Sequence, residues 1–322
     1  MKKIKKIKKI KKTDRALLII CTVFVLIIGS LIFILPKNEF SESENRYLAS
    51  MPKFSIESLI NGEYTKEISS FYKDQFPMRK IATSVYAISE SAMGKKTIRG
   101  VIKYNNMLIP IEANKTVTEE ISIPAVCIKS KYSLFQSQSN ELLNYYNTDH
   151  HRSTYGAYLV YLEACQKLKI QPYPESYFTK ERVCDDFYGT SFFKSALPKF
   201  AVIPDFIELW RYENDEDVIL TIHDSGKMSK GFYDFSKLDT ADKYAIFLGG
   251  NYAHATVASS VDKPTVLLFK DSFANAVVPF LALHFNIEII DPRYATKTQI
   301  SAAYNSADYD YVLFIGCLDS FN

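Results

Sequence analysis

The chain has 322 residues, 47% of them apolar and 14% aromatic, which is ample material for a packed core and argues against global disorder. Its formal net charge of +3 is unevenly placed: residues 1–15 hold nine of the 39 basic side chains and one of the 36 acidic ones, leaving 30 basic against 35 acidic, a net of −5, over the rest. A mildly acidic body lacks the basic footprint that nucleic-acid binding requires, so no nucleic-acid partner is expected.

Residues 1–15 are a lysine-rich tail. Residues 16–35 follow without a charge, and 20 such residues are long enough to cross a hydrocarbon core of about 30 Å. The basic flank places the tail in the cytoplasm and the rest outside, anchored by one transmembrane signal-anchor. A cleaved signal peptide is the rival reading, but no small-x-small site follows Leu35. Residues 36–54 read as a polar juxtamembrane stalk. From Ser55 to about Lys96 the spacing of Leu59, Ile60, Tyr64, Ile68, Phe71 and Tyr72 predicts helix, interrupted at Pro77. Gly100 to Ile111 reads as short strands, and residues 112–140 carry no clear pattern.

The second half is more legible. Ser153-Thr154 is a helix start, and Tyr155 to Leu168 carries an apolar face. Four short apolar runs predict buried strands: Tyr244–Leu248, Thr265–Phe269, Ile287–Ile290 and Tyr311–Ile315. Helical stretches at Ala274–His284 and about Lys297–Tyr304 separate the later ones. Strands alternating with helices imply a parallel sheet. Each run ends in a polar cluster, at Gly249-Gly250-Asn251, Lys270-Asp271-Ser272, Asp291-Pro292-Arg293 and Gly316 to Ser320. In open α/β sheets ligands bind outside the carboxyl ends of the strands, where all four clusters would lie.

Outside the apolar span the cysteines are Cys127, Cys165, Cys184 and Cys317. They form no C-x-x-C and no metal-ligand spacing, and buried thiols are the plainer reading. Two of the five histidines stand together in Asp149-His150-His151. In a loop, Asp149 can reach the His151 ring and fix its tautomer, as a serine-enzyme triad needs. Equally, the aspartate can simply cap the next helix. Ser272, at a strand-to-helix junction, is either an exposed nucleophile beside backbone N–H groups or a helix N-cap. Gly250 and Asn251 are either a turn with positive φ or part of an oxyanion hole. Arg293 can clamp a substrate or form a surface ion pair.

The run T-D-H-H-R-S-T-Y-G-A-Y resembles the signature of the DHHW protein family, with Arg152 where that family has tryptophan. Other segments fit the same family in order: S-E-N-R-Y-L-A-S-M-P-K-F (43–54), G-E-Y-T-K-E (62–67), D-Q-F-P-M-R-K (74–80), D-D-F-Y-G-T (185–190), F-L-G-G-N (247–251), K-D-S-F-A-N-A-V-V-P-F-L (270–281) and I-D-P-R-Y (290–294). That family is similar to the SGNH-hydrolase-like alginate O-acetyltransferases. The resemblance implies an SGNH-like α/β/α sandwich with a parallel sheet over residues 55–322, preceded by the transmembrane helix. It implies an O-acetyltransferase or esterase acting on a cell-surface polysaccharide, with Ser272 as nucleophile, His151 as base and Asp149 orienting it. Lys270 stands where the related proteins have glycine. No metal or soluble cofactor is implied, and a transferase would draw its acyl group from a membrane-bound O-acyltransferase partner. The rival from another class is a scaffold protein of a cell-envelope polysaccharide assembly that keeps the fold without the activity.

Overall fold

The computed structural model describes the chain from Arg46 to Gly316 apart from residues 78, 96, 100, 105–106, 111–125, 130–143, 260–261 and 307–308, together with scattered residues between 19 and 41. The apolar span expected at 16–35 therefore lies largely outside the described residues. Among the described residues, no helix is long and apolar enough to cross a membrane. The chain divides into two compact units, one within 1–41 and 45–86 and the other within 42–44 and 87–322.

In the first unit, β1 (Phe40–Ser41) pairs antiparallel with β2 (Arg46–Tyr47). Helix α1 (Ile56–Ile60) is capped by Ser55, whose hydroxyl accepts from the Ser58 N–H at 3.0 Å. Gly62, at φ +84°, turns the chain into α2 (Glu63–Gln75). Helix α3 (Arg79–Ala92) begins just beyond Pro77, as expected where proline has no N–H to continue α2.

The second unit takes the end of α3 from Ala87 and continues with an antiparallel meander of β3 (Thr97–Ile98), β4 (Val101–Tyr104) and β5 (Met107–Pro110). Its larger sheet uses β6 (Val126–Lys129), β9 (Ile219–Ile222), β10 (Lys227–Lys230), β11 (His254–Ala258), β12 (Thr265–Lys270), β13 (Asn286–Ile290) and β14 (Tyr311–Gly316), in the order β10-β9-β11-β13-β12-β14-β6. The sheet is mixed rather than parallel: β13, β12, β14 and β6 run parallel, while β11 is antiparallel to both β13 and β9. A separate ribbon joins β7 (Thr179–Phe187) to β8 (Asp205–Arg211), with the short helix α5 (Thr190–Ser195) between them and register shifts on either side of Cys184.

Strand β12 is buried on both faces, as its unbroken apolar run requires. Val266 and Leu268 join a core that includes Ala157, Tyr161 and Cys165 of α4 (Thr154–Leu168) and Phe280 of α6 (Val278–Leu281). Leu267 and Phe269 face the opposite way, with Ile290 and with Ile300 and Ala303 of α7 (Lys297–Ser306). The fold is thus mixed α/β, with helices against both faces of the sheet. Cys165 and Cys184 are buried free thiols.

Two expected elements differ. Tyr244–Leu248 is not a strand: Lys243–Ile246 form a 3₁₀ turn, and Leu248 and Gly249 take positive φ. All five residues from Tyr244 to Leu248 are buried, and consecutive burial gives a turn the same apolar run as a buried strand. The helix expected over Ala274–His284 is confined to a 3₁₀ turn at Ser272–Ala274 and the short α6.

Helix α4 fixes the loop before it by close approach. A β-carbon on Gly156 would lie 1.9 Å from the Asn144 carbonyl oxygen, which itself accepts from the Ser153 N–H at 3.1 Å. Gly156→Ala should therefore lower the unfolding free energy by about 1–3 kcal/mol, the cost of forcing a methyl into a packed contact. Urea denaturation checks this, and an unchanged midpoint would show that the helix does not press on that carbonyl.

Candidate active site

The loop carrying Asp149 is tied down before the aspartate is reached. Asp205, at the start of β8, accepts from the Asn147 N–H at 2.8 Å, the Thr148 N–H at 2.7 Å and the Thr148 hydroxyl at 2.6 Å. The Thr148 oxygen in turn accepts from the Gly189 N–H at 3.1 Å. Residues 147–149 are thus held against the chain leaving β7.

Asp149 is buried with both oxygens occupied. Its Oδ1 accepts from the Thr190 N–H at 2.7 Å and the Thr190 hydroxyl at 2.6 Å. Its Oδ2 accepts from the His151 N–H at 3.2 Å and lies 2.6 Å from His151 Nδ1. Gly189 permits this proximity, since a β-carbon there would fall 2.1 Å from Asp149 Cβ. Burial opposes a charge on Asp149, but the two imidazoles and their hydrogen bonds outweigh it, and the carboxyl is held well below its ordinary range.

This arrangement fixes the His151 tautomer. With Nδ1–H donating to Asp149, Nε2 carries the lone pair, and that atom is buried without a hydrogen-bond partner among the described residues. The ring stacks on Tyr244 with centroids 3.8 Å apart and planes 4° apart. Burial, reinforced by the neighbouring His150 charge, pushes its pKa below the usual 6.5, so His151 is neutral and able to accept a proton at pH 7.

Ser272 is carried to the same place by two aromatic side chains. The Tyr244 hydroxyl donates to the Ser272 carbonyl at 3.2 Å, and the Phe273 ring lies 5.4 Å from the ring centres of both His150 and His151. Ser272 does not cap the turn it begins. That role belongs to Asp271, whose carboxylate accepts from the Phe273 N–H at 2.8 Å. Among the described residues the Ser272 hydroxyl makes no hydrogen bond, so it is not consumed by a structural contact.

The remaining candidates divide. Asn251 meets the turn after Ser272 through Asn275, whose Nδ2 donates to Asn251 Oδ1 at 3.2 Å. Gly250 has φ +133°, and its carbonyl accepts from the same Nδ2 at 3.4 Å, so the Gly-Gly-Asn segment is both a strained turn and a neighbour of the site. Arg293 is committed to Asp291 through Nε at 2.9 Å and a terminal nitrogen at 2.6 Å, the ion-pair alternative of its two readings. Arg152 is buried over the Tyr145 ring, 4.7 Å from its centre, and pairs with that residue as an isolated bridge.

Asp149, His150 and His151 also form a group whose ligand atoms lie within 4.8 Å of one another, which is the set that could hold a metal. A cation there would compete with the four hydrogen bonds Asp149 already accepts. Three contributors were not apparent in the sequence. Thr190 ends the D-D-F-Y-G-T block and acts through its N–H and hydroxyl, Tyr244 acts through its ring and hydroxyl, and Asn275 lies three residues beyond Ser272 in the block that begins K-D-S-F-A-N.

The family model described as DHHW protein matches residues 123–290. Among solved structures, a DHHW family protein from Eubacterium siraeum DSM 15702 is similar at 22% identity and a TM-score of 0.47, over 56% of this chain and 61% of that one. The structure of Bacillus cereus PatB1 is similar at 18% identity and a TM-score of 0.43, over 54% of this chain and 62% of that one. The structure of the same protein with a sulfonyl adduct gives 19%, 0.42, 54% and 60%. The matched region spans about three fifths of each of those chains. No curated protein matches the chain.

The two adjacent imidazoles are driven in opposite directions. Burial works against the His150 cation, but the Asp149 charge and hydrogen bond prevail and raise its pKa above 6.5, while that of His151 falls below it. Histidine NMR titration should show His150 protonating first as the pH is lowered. His150→Ala should raise the His151 pKa by removing a neighbouring positive charge, and a downward shift would contradict this picture.

Proposed function

The chain belongs to the DHHW protein family, and from that premise we propose that it is a membrane-anchored, extracytoplasmic acyl-ester enzyme of SGNH-like fold. Its substrate class is the O-acetyl ester of a cell-surface polysaccharide, with transfer to an acceptor hydroxyl or hydrolysis by water as the two outcomes. The observation that carries this reading is the Asp149–His151 pair: an Nδ1 fixed at 2.6 Å to a buried carboxylate, with Nε2 buried and unpartnered among the described residues and the ring stacked on Tyr244, whose hydroxyl donates to the Ser272 carbonyl.

In this mechanism the Ser272 hydroxyl attacks the acyl carbonyl, and His151 Nε2 takes its proton. Asp149 stays ionised, orients the ring and stabilises the imidazolium. The tetrahedral oxyanion is received by the Ser272 N–H and the Asn251 side-chain amide. Collapse expels the first alcohol, which is protonated by His151, and leaves an acyl-Ser272 ester. A polysaccharide hydroxyl or water, deprotonated by His151, then releases the acyl group. A transferase would draw its acyl group from a membrane-bound O-acyltransferase partner, with the lysine-rich tail on the cytoplasmic side and the active site outside. Nucleic acid has no part in this reading.

The test uses p-nitrophenyl acetate with the purified full-length chain. Ser272→Ala and His151→Ala should each remove nearly all turnover above the uncatalysed rate, because triad members act as a unit. Asp149→Asn should cost on the order of 10⁴ in kcat by holding the wrong tautomer. His150→Ala should retain most of the activity. Full activity in Ser272→Ala would assign the fold to a binding or scaffold role instead. In intact protoplasts, added protease should degrade the domain; protection until lysis would contradict the outward topology.

A further inference from the structure

Lys270 is 2% exposed, lies two residues before Ser272, and takes no part in the proton transfer described above. Its surroundings are specific. The ammonium donates to Asn275 Oδ1 at 2.6 Å and approaches Asn251 Oδ1 at 3.5 Å and Asp291 Oδ2 at 4.0 Å. Asp291 is already paired with Arg293 through two nitrogens, so Lys270 is not its main counter-ion. Removing a lysine from water is costly, and such groups are seldom buried without a task for the charge.

We propose that Lys270 is a positioning residue that sets the oxyanion-binding amide of Asn251 from behind, and that loss of its proton switches the site off at alkaline pH. This inference rests on the acyl-transfer reading of the same site. An ammonium has three donors and no acceptor, so any amide facing it must turn its oxygen inward. Both Asn275 and Asn251 do so. Asn275 then spends its Nδ2–H on Asn251 Oδ1 at 3.2 Å, closing a relay from Lys270 through Asn275 to Asn251. The Asn251 oxygen is held on both sides, and among the described residues its Nδ2–H donors are unused. A cation at the oxygen end of two linked amides also polarises them, making the far N–H groups stronger donors to a developing negative charge.

The charged groups facing Lys270 are Asp291, Arg293 and Asp271. Burial dominates and draws the lysine pKa down to about 8, with Asp291 and Asp271 opposing the shift and Arg293 adding to it. The relay is therefore mostly charged near neutrality and loses its charge above about pH 8. A lysine in bulk water would not titrate until about pH 10.4.

The experiment measures the rate at which a fluorophosphonate labels Ser272 in the full-length protein, as a function of pH, because the phosphoryl oxygen occupies the oxyanion site. The wild-type rate should rise as His151 deprotonates and fall again with an apparent pKa near 8. Lys270→Met should lower the plateau by at least about tenfold, in keeping with loss of an oxyanion donor, and abolish the alkaline limb while keeping the acidic one. Asn275→Ala should lower the plateau comparably with Lys270 still present. Combined with Asn251→Ala, Lys270→Met should add little further loss, since the three act in one relay. Absence of any labelling at Ser272 in the wild type would overturn the acyl-transfer reading itself. Labelling with no alkaline limb in the wild type, or with an unchanged limb in Lys270→Met, would overturn the role of Lys270 alone.

Discussion

The buried carboxylate of Asp149 is the point at which fold and chemistry meet. An aspartate cannot stay ionised out of water unless its oxygens are matched by donors or cations, and here the matching is complete. Thr190 supplies two donors to one oxygen, and His151 supplies its N–H and its ring to the other. His151 is local, but Thr190 is 41 residues away in sequence, so the chain leaving β7 must be in place before the charge can be buried. What the charge gives in return is a defined tautomer, because a ring whose Nδ1–H is spoken for has its basic nitrogen at Nε2.

Support for that pair is distributed through elements with no chemistry of their own. The β7–β8 ribbon delivers Gly189 and Thr190 just beyond the end of one strand and Asp205 at the start of the other. Asp205 gathers the backbone of 147–148, and Gly189 lets the aspartate approach without a clash. Tyr244 performs a second task, stacking on His151 with its ring while its hydroxyl reaches the Ser272 carbonyl. Lys270 and Asn275 perform the corresponding task for the opposite side of the site. A fixed imidazole and a fixed amide are what a preorganised acyl-transfer site requires, since neither then has to be reoriented as charge develops.

Much of this was legible in the sequence, for physical reasons. The strands β12 and β14 announce themselves through unbroken apolar runs, as parallel strands covered on both faces require, and β13 shows itself through Ile287, Ile289 and Ile290. Helix α4 shows its Ser153 cap and its apolar face. The polar clusters at 249–251, 270–272 and 291–293 do gather beyond the ends of their segments, and Asp149 does reach His151. The ribbon strand T-K-E-R-V-C-D-D-F was hidden because its exposed side chains are charged and its register shifts break the alternation of period two. The antiparallel β11 was hidden by its short, half-buried H-A-T-V-A pattern. Tyr244–Leu248 misled because continuous burial looks the same in a strand and in a turn. Thr190, Tyr244 and Asn275 were beyond reach because their roles follow from contacts between distant segments, which no local spacing encodes.

The central claim is that the Ser272 hydroxyl carries the acyl group between donor and acceptor. Rapid acid quenching of the full-length protein during turnover of p-nitrophenyl acetate, followed by peptide mass spectrometry, tests this directly. The peptide containing Ser272 should gain the mass of one acetyl group, with fragmentation placing it on that serine, and the gain should be absent in His151→Ala. Turnover without acetylation of Ser272, or with the acetyl group on another side chain, would contradict the account.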